Sequence, residues 1–346
     1  MEQWYPKRLS EQRRRRGMPS IHKNPALVEH FLAAFAKDDF CCVLITADPD
    51  AIASAFAVKR LIARRVAGVT IAAVNEISRP DNLAMLRYLR IPIVSWKNEM
   101  LSAFHKFILV DSQPHHCQLF HDIPFAAVID HHPLIPEHPV HAAHVDVRPI
   151  FGATSTILTR YLQALRIRPS SRLATALQYG IQTDTAAFER SGDEADLRAF
   201  QFLRKYSDLG LLRRILRSEY LIQWLPMFNK AFSSLRPCGT GYYAYVGSVS
   251  NPDILVGIAD FFTRIHGLKW VAVCGVYENT VVVIFRGDGT RNIGRFAAER
   301  FQPLGSAGGH RTLARAEFPR NHIPEGVKIQ TFVAQRLLSA NRTKNS

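Results

Sequence analysis

The run Val128-Ile129-Asp130-His131-His132 constrains this chain more than any other stretch, because an apolar segment stops abruptly at an acid and two imidazoles. A buried strand ending this way delivers polar groups to the carboxyl edge of an open α/β sheet, where a metal or anion site can be assembled. Two neighbouring histidines can also cap a strand or bond each other, so the run carries weight only if other element ends supply acids. Three do. The apolar run Cys41–Ile45 leads through Thr46 and Ala47 to Asp48-Pro49-Asp50, Phe107–Val110 leads directly to Asp111, and a helical stretch from about Ser170 leads to Thr183-Asp184-Thr185. Each acid has an ordinary local role open to it: Asp50 as a helix N-cap, Asp48 and Asp111 in turns, Asp184 in an Asx turn. Their recurrence at successive element ends is what points to a shared site.

The surrounding pattern is α/β. Strand-like runs at Cys41–Ile45, Val69–Val74, Ile91–Ser95, Phe107–Asp111 and Phe125–Asp130 alternate with helical stretches, which predicts a mostly parallel sheet covered on both faces. Residues 151–206 read as helical, and 207–235 as helix-like but more basic. The Pro237–Gly241 punctuation then opens a second unit, with strands at Tyr242–Val249, Trp270–Tyr277 and Val281–Phe285 around a helix from about Asp253 to Ile265. The expected organisation is a basic arm (1–24), a mostly parallel α/β domain (25–206), a helical connector (207–236) and a smaller α/β domain (237–346).

A formal net charge of +15 favours polyanionic ligands such as nucleotides or oligonucleotides over neutral ones. Part of it sits in the arm, where Lys7, Arg8 and Arg13–Arg16 suggest either a solvated tail or a weak contact to a phosphate backbone. The five cysteines form no C-x-x-C pair, the N-terminus has no apolar core of signal-peptide length, and no segment is long and apolar enough to span a membrane. The expectation is a reduced, cytoplasmic protein with no membrane partner.

Taken together, Thr46–Ala55 (TADPDAIASA), Val110–Pro114 (VDSQP), Val128–Pro133 (VIDHHP) and Gly180–Phe188 (GIQTDTAAF) resemble the four ordered motifs of the DHH phosphoesterase superfamily. Downstream, Gly305–His310 (GSAGGH) resembles the glycine-rich signature of the DHH-associated C-terminal domain, and Arg286 resembles that domain's substrate-binding arginine. The resemblance spans roughly residues 25–330, and in length and domain pairing it is most similar to the nanoRNase/pAp-phosphatase branch.

That resemblance implies a DHH catalytic domain joined by a helical connector to a substrate-binding domain, and a phosphoesterase acting on very short RNA and on 3′-phosphoadenosine 5′-phosphate. It implies that Asp50, Asp111, His131 and Asp184 surround one metal, that Asp111 bridges to a second held partly by Asp48, and that His132 faces the substrate phosphate. Asp130 would orient the imidazoles, while Arg286, Gly308, Gly309 and His310 would bind substrate. Carboxylates with one imidazole suit Mn²⁺, with Mg²⁺ the other candidate, at one or two ions per chain. The expected partner is short RNA or a nucleotide; no surface pattern singles out an oligomer interface, and a homodimer stays among the candidates. The pattern departs at Leu44, where the family commonly has a histidine that ligates the second metal, and more mildly at Ala47, Ala53 and Ala187. Three alternatives stand beside this reading: a nucleotide-sensing module with a weakened centre, a related enzyme acting on cyclic-dinucleotide products, polyphosphate or single-stranded DNA, and a general RNA binder.

Overall fold

The computed structural model describes residues 25–188, 193–218 and 220–338; the basic arm, 1–24, lies outside them. The described residues form two compact units, one up to Ile77 and from Asn82 to Arg217, the other Ser78–Asp81 and from Ser218 onward.

In chain order the first contains α1 (Pro25–Ala33), β1 (Phe40–Ile45), α2 (Pro49–Ile62), β2 (Gly68–Ala73), most of α3 (Pro80–Leu89), β3 (Val94–Ser95), β4 (Lys106–Val110), β5 (Phe125–Asp130) and β6 (His144–Val147). Then come α4 (Thr154–Ala164), α5 (Ser171–Asp184), α6 (Glu194–Arg204) and α7 (Leu209–Leu216). The six strands are all parallel, in the order β3-β2-β1-β4-β5-β6. Strand order reverses between β1 and β4, and the crevice outside the carboxyl ends at such a switch point is where open α/β sheets bind ligands. Successive residues face opposite layers. Cys41, Val43, Ile45, Ile108, Val110 and Ile129 pack with α2, α4 and α5, whereas Cys42, Leu44, Leu109, Phe125 and Val128 pack around Phe120 on the other face. Burial on both faces explains why these strands read as unbroken apolar runs.

Two strands differ from expectation. The run at Ile91–Ser95 shrinks to the two exposed residues of β3, since Pro92 has no N–H for the ladder. Strand β6 was not anticipated, because His144 and Asp146 interrupt its apolar pattern.

The second unit contains α8 (Leu225–Ser234), β7 (Arg236–Cys238), β8 (Gly241–Val249), α9 (Asp253–Phe262), β9 (Trp270–Tyr277), β10 (Thr280–Gly287), α10 (Ile293–Phe301), β11 (Ser306–Gly309), β12 (Leu313–Pro319) and α11 (Ile329–Leu338). Its sheet runs β11-β12-β10-β9-β8-β7, with β8 and β9 parallel across the α9 crossover and the remaining pairs antiparallel. Trp270, Ala272, Val283 and Phe285 pack beneath α10 and α11, and Val271, Val273, Val282 and Ile284 against α8 and α9. The stretch 207–236 contributes to both cores: Leu212 and Ile215 to the first unit, Trp224, Phe228 and Ala231 to the second. The glycine-rich segment Gly305–His310 is largely strand, since β11 pairs with β12 from Ser306 to Gly309.

Candidate metal centre

The helix α2 begins immediately after β1, and its start explains the spacing of two acids. Asp48 is the N-cap, its Oδ1 accepting the Ala51 N–H at 2.9 Å, while Pro49 opens the first turn without needing a donor. Asp50, inside that turn and fully buried, reaches a different helix. Its Oδ2 accepts the Thr154 N–H at 2.6 Å and its Oδ1 the Ser155 N–H at 2.9 Å, so the carboxylate sits on the amino end of α4. Gly180 of α5 makes room, since a Cβ there would meet Ser155 Oγ at 2.6 Å and Asp50 Oδ1 at 2.9 Å.

Asp111 turns away from β4 through a left-handed backbone, φ +58°, a conformation that aspartate tolerates better than most residues. Its Oδ1 accepts the Thr154 hydroxyl at 2.8 Å. At the end of β5, His131 Nδ1 lies 3.3 Å from the Phe151 carbonyl, which can only accept; the Nδ1 proton therefore points there and Nε2 is the nitrogen turned toward the acids. That Nε2 is buried with no well-aligned hydrogen-bond partner, yet it lies 3.3 Å from Asp184 Oδ2 and 3.5 Å from Asp111 Oδ1. Asp50, Asp111, His131 and Asp184 each place one ligand-type atom within 4.8 Å of the others.

Electrostatics strain this arrangement. Burial pushes the Asp48 and Asp50 carboxyls up to about 6, with Asp50 raising Asp48 and Asp184 raising Asp50. Asp111 is held well above the carboxylate range by burial and by Asp50, Asp48 and Asp184, and Asp184 is raised by burial and by Asp48. Burial alone would lower His131, but the Asp184 carboxylate beside it and the charge on Asp50 lift it to about 9. Asp130 behaves oppositely: burial would raise it, but His132 and Gln113 hold it below the ordinary range. His132 Nδ1 bonds Asp130 Oδ1 at 2.8 Å, and Gln113 Nε2 donates to Asp130 Oδ2 at 2.7 Å.

In the second unit, Arg286 at the end of β10 donates from Nε to Asp260 Oδ1 at 2.6 Å. It is paired with Leu313 in the ladder, and the His310 N–H donates to the Leu313 carbonyl at 2.8 Å, so Arg286 and His310 flank one residue of β12. Gly309 adopts φ +147°, and a Cβ on it would strike the β12 backbone, whereas one on Gly308 would meet nothing within 4 Å. Gly308 is thus the glycine with space over it.

No family model matches the chain. Over 278 residues, 80% of its length, it is 35% identical to an uncharacterized protein of Methanocaldococcus jannaschii, and it spans 56% of that relative. Among solved structures it superposes on an exopolyphosphatase-related protein from Bacteroides fragilis with a TM-score of 0.69 and 16% identity, covering 91% of this chain and 96% of that one. It also matches RecJ in complex with Mn²⁺ from Thermus thermophilus, with a TM-score of 0.54 and 13% identity over 93% of this chain and 54% of that one. The chain shares the fold of these two proteins.

Within this fold, the four sequence motifs meet in the first unit, while Arg286, Gly308, Gly309 and His310 gather in the second. The donor set fits a hard divalent cation: three carboxylates and one imidazole whose other nitrogen is anchored to a carbonyl, the usual support of a ligating histidine. Leu44 lies fully buried with Ala72, Leu109, Phe120 and Val128, so the departure at that position is filled by core packing. Sequence reasoning gave no place to Thr154 and Ser155, and it included Gln113 and Gly180 in the motifs without assigning them a role.

Proposed function

We propose that the chain is a divalent-cation-dependent phosphoesterase that hydrolyses very short RNA, with 3′-phosphoadenosine 5′-phosphate as a second substrate. The observation that carries the proposal is His131 Nε2, buried, without a well-aligned hydrogen bond and facing the Asp111 and Asp184 carboxylates in a cluster whose acids are raised by burial and by one another. Asp50, Asp111, His131 and Asp184 would hold one cation, and Asp48 with Asp111 would contribute to a second. Bound Mn²⁺ or Mg²⁺ supplies water activation and charge stabilisation at a phosphoryl group.

The chain's own groups do the rest. Asp130, kept ionised by Gln113 and His132, fixes the His132 ring with its Nε2 edge directed away, so that His132 in its protonated form donates to a phosphoryl oxygen. Arg286, His310 and the open backbone at Gly308 are the candidate anion contacts of the second unit. A net charge of +15 suits a polyanionic substrate, and the motif resemblance favours short RNA among these.

Likeness to an exopolyphosphatase-related protein gives polyphosphate a place as a second reading. Purified protein should release mononucleotides from RNA of five nucleotides or fewer with Mn²⁺, lose this with a chelator and regain it on metal addition. Polyphosphate cleavage without RNA cleavage would replace the substrate, and no release from RNA, 3′-phosphoadenosine 5′-phosphate or polyphosphate at millimolar metal would overturn the phosphoesterase reading.

A further inference from the structure

Helix α4 starts without a cap of its own, since Ala153 before it has no side chain that can accept its free amides. Its amino end is gripped from other elements instead. Thr154 and Ser155 give their N–H groups to Asp50, the Thr154 hydroxyl goes to Asp111, and just upstream the Phe151 carbonyl faces His131 Nδ1. The segment 151–156 therefore touches three of the four residues of the candidate cation cluster, and where it sits decides how those three face one another.

A carboxylate from outside the cluster holds the same segment. Asp196, in the first turn of α6, accepts the Gly152 N–H on Oδ2 at 2.8 Å and the Thr156 hydroxyl on Oδ1 at 2.5 Å, one bond on each side of the Thr154–Ser155 pair. Its Oδ2 also takes the Asp193 N–H at 2.8 Å, which ties this grip to the start of α6. Asp196 is fully buried, and among the described residues no cation pairs with it. Desolvating a carboxylate there is costly, and the three donors are what offset it. Asp196 belongs to none of the four motifs.

We propose that Asp196 is a positioning residue of the metal centre: by clamping Gly152 and Thr156 it fixes the segment that holds Asp50, Asp111 and His131, and so sets the affinity for the divalent cation. This rests on the reading that the cluster binds such a cation. A cation draws Asp50 and Asp111 toward itself, and a helix start without its own cap would follow them but for this second hold. Asp196 touches none of the reacting atoms.

The test is Mn²⁺ titration of the full chain, wild type and four variants, well below their unfolding temperatures. D196A should bind Mn²⁺ about 10–100-fold more weakly, the scale of losing a partner behind a ligand. D196N should stay within about threefold of the wild type, because its oxygen still accepts both amides and its NH₂ can turn to the Thr156 hydroxyl. T156V deletes one bond and keeps the shape, should weaken binding about fivefold, and decides the matter if D196A does not fold. L203A, which opens a cavity in the same helix, should lower the unfolding temperature and leave Mn²⁺ affinity alone. Wild-type affinity in D196A or T156V overturns the inference. So does a loss in D196N as large as in D196A, which would make charge rather than position decisive, or an equal loss in L203A, which would make general destabilisation the cause. A wild type that binds no Mn²⁺ is a different result: it removes the cation reading itself, and this inference with it.

Discussion

Each unit gathers charged groups at one end of a sheet, but the groups face different company. In the first, Asp50 and Asp111 are buried beside Asp48 and Asp184, and a single imidazole nitrogen faces them without a well-aligned bond. In the second, Arg286 already holds Asp260 at 2.6 Å, and the glycines beside it are held by a regular ladder. The first cluster is stable only with protons or a cation in it, whereas the second is satisfied as it stands. Ligand dependence should therefore be concentrated in the first unit.

The largest expected effect comes from removing a carboxylate there. Asp50→Asn keeps an acceptor for one α4 amide but removes a charged ligand, and should weaken Mn²⁺ binding by at least about 100-fold, since losses behind the ligands already cost roughly 10–100-fold. Calorimetric titration and RNA turnover both read this; wild-type affinity would dissolve the comparison.

Leu44→His should come next. The side chain would enter an apolar cluster with Ala72, Leu109, Phe120 and Val128, and an unpaired imidazole there costs about 3 kcal/mol once lost packing is included. Thermal unfolding should show the loss with no added metal per chain. A gain in Mn²⁺ stoichiometry would show instead that the position still serves the centre.

Gly180→Ala tests how tightly the site is packed. A methyl placed 2.9 Å from Asp50 Oδ1 and 3.1 Å from its Cα must move α5 or the carboxylate, at a cost of about 1–3 kcal/mol. Weaker Mn²⁺ binding should accompany the stability loss, and an unaltered metal affinity would mean that α5 moved alone.

The pH response gives a signed test of the same crowding. Asp48 and Asp50 rise from 3.8 to about 6, and His131 from 6.5 to about 9. All three bind protons more tightly folded than unfolded, so their contribution is full at low pH and is lost as pH climbs through those raised values. Asp130, shifted the other way, opposes this only at the acid end. Their contribution to the metal-free protein should therefore fall between about pH 5.5 and about pH 8, opposed in that window by His144, which burial holds at about 4; Mn²⁺ should accordingly restore more at the higher pH, about 2.7 kcal/mol at roughly a hundred times its dissociation constant. An equal Mn²⁺ effect at the two values would remove the claim of strain.

What could be read from the sequence divides along the same line as the physics. The acids were legible because strand periodicity and abrupt polar ends are local, and the parallel sheet followed from apolar runs alternating with helices. The groups that hold Asp50 were not, because they are backbone amides of Thr154 and Ser155, 104 and 105 residues away, and an amide has no side-chain signature. Leu44 was visible as a departure, but its consequence depends on strand parity: it faces the layer opposite Val43 and Ile45. That Gly308 and Gly309 lie in a strand depends on ladder pairing with β12, which adjacent glycines do not signal.

The smallest effect should come from Arg286→Ala, and its size sharpens the contrast most directly. The arginine is largely covered, with 17% of its side chain exposed, but its partner Asp260 is 42% exposed and stays hydrated when the pair is broken. Screening of so open a partner limits the stability change to about 1 kcal/mol or less. Mn²⁺ affinity should not change, because none of the four atoms of the cluster lies in this unit. If Arg286 contacts substrate, the Michaelis constant for short RNA should rise several-fold while thermal stability barely moves. An unfolded or metal-deficient R286A protein would show that the second unit is as strained as the first.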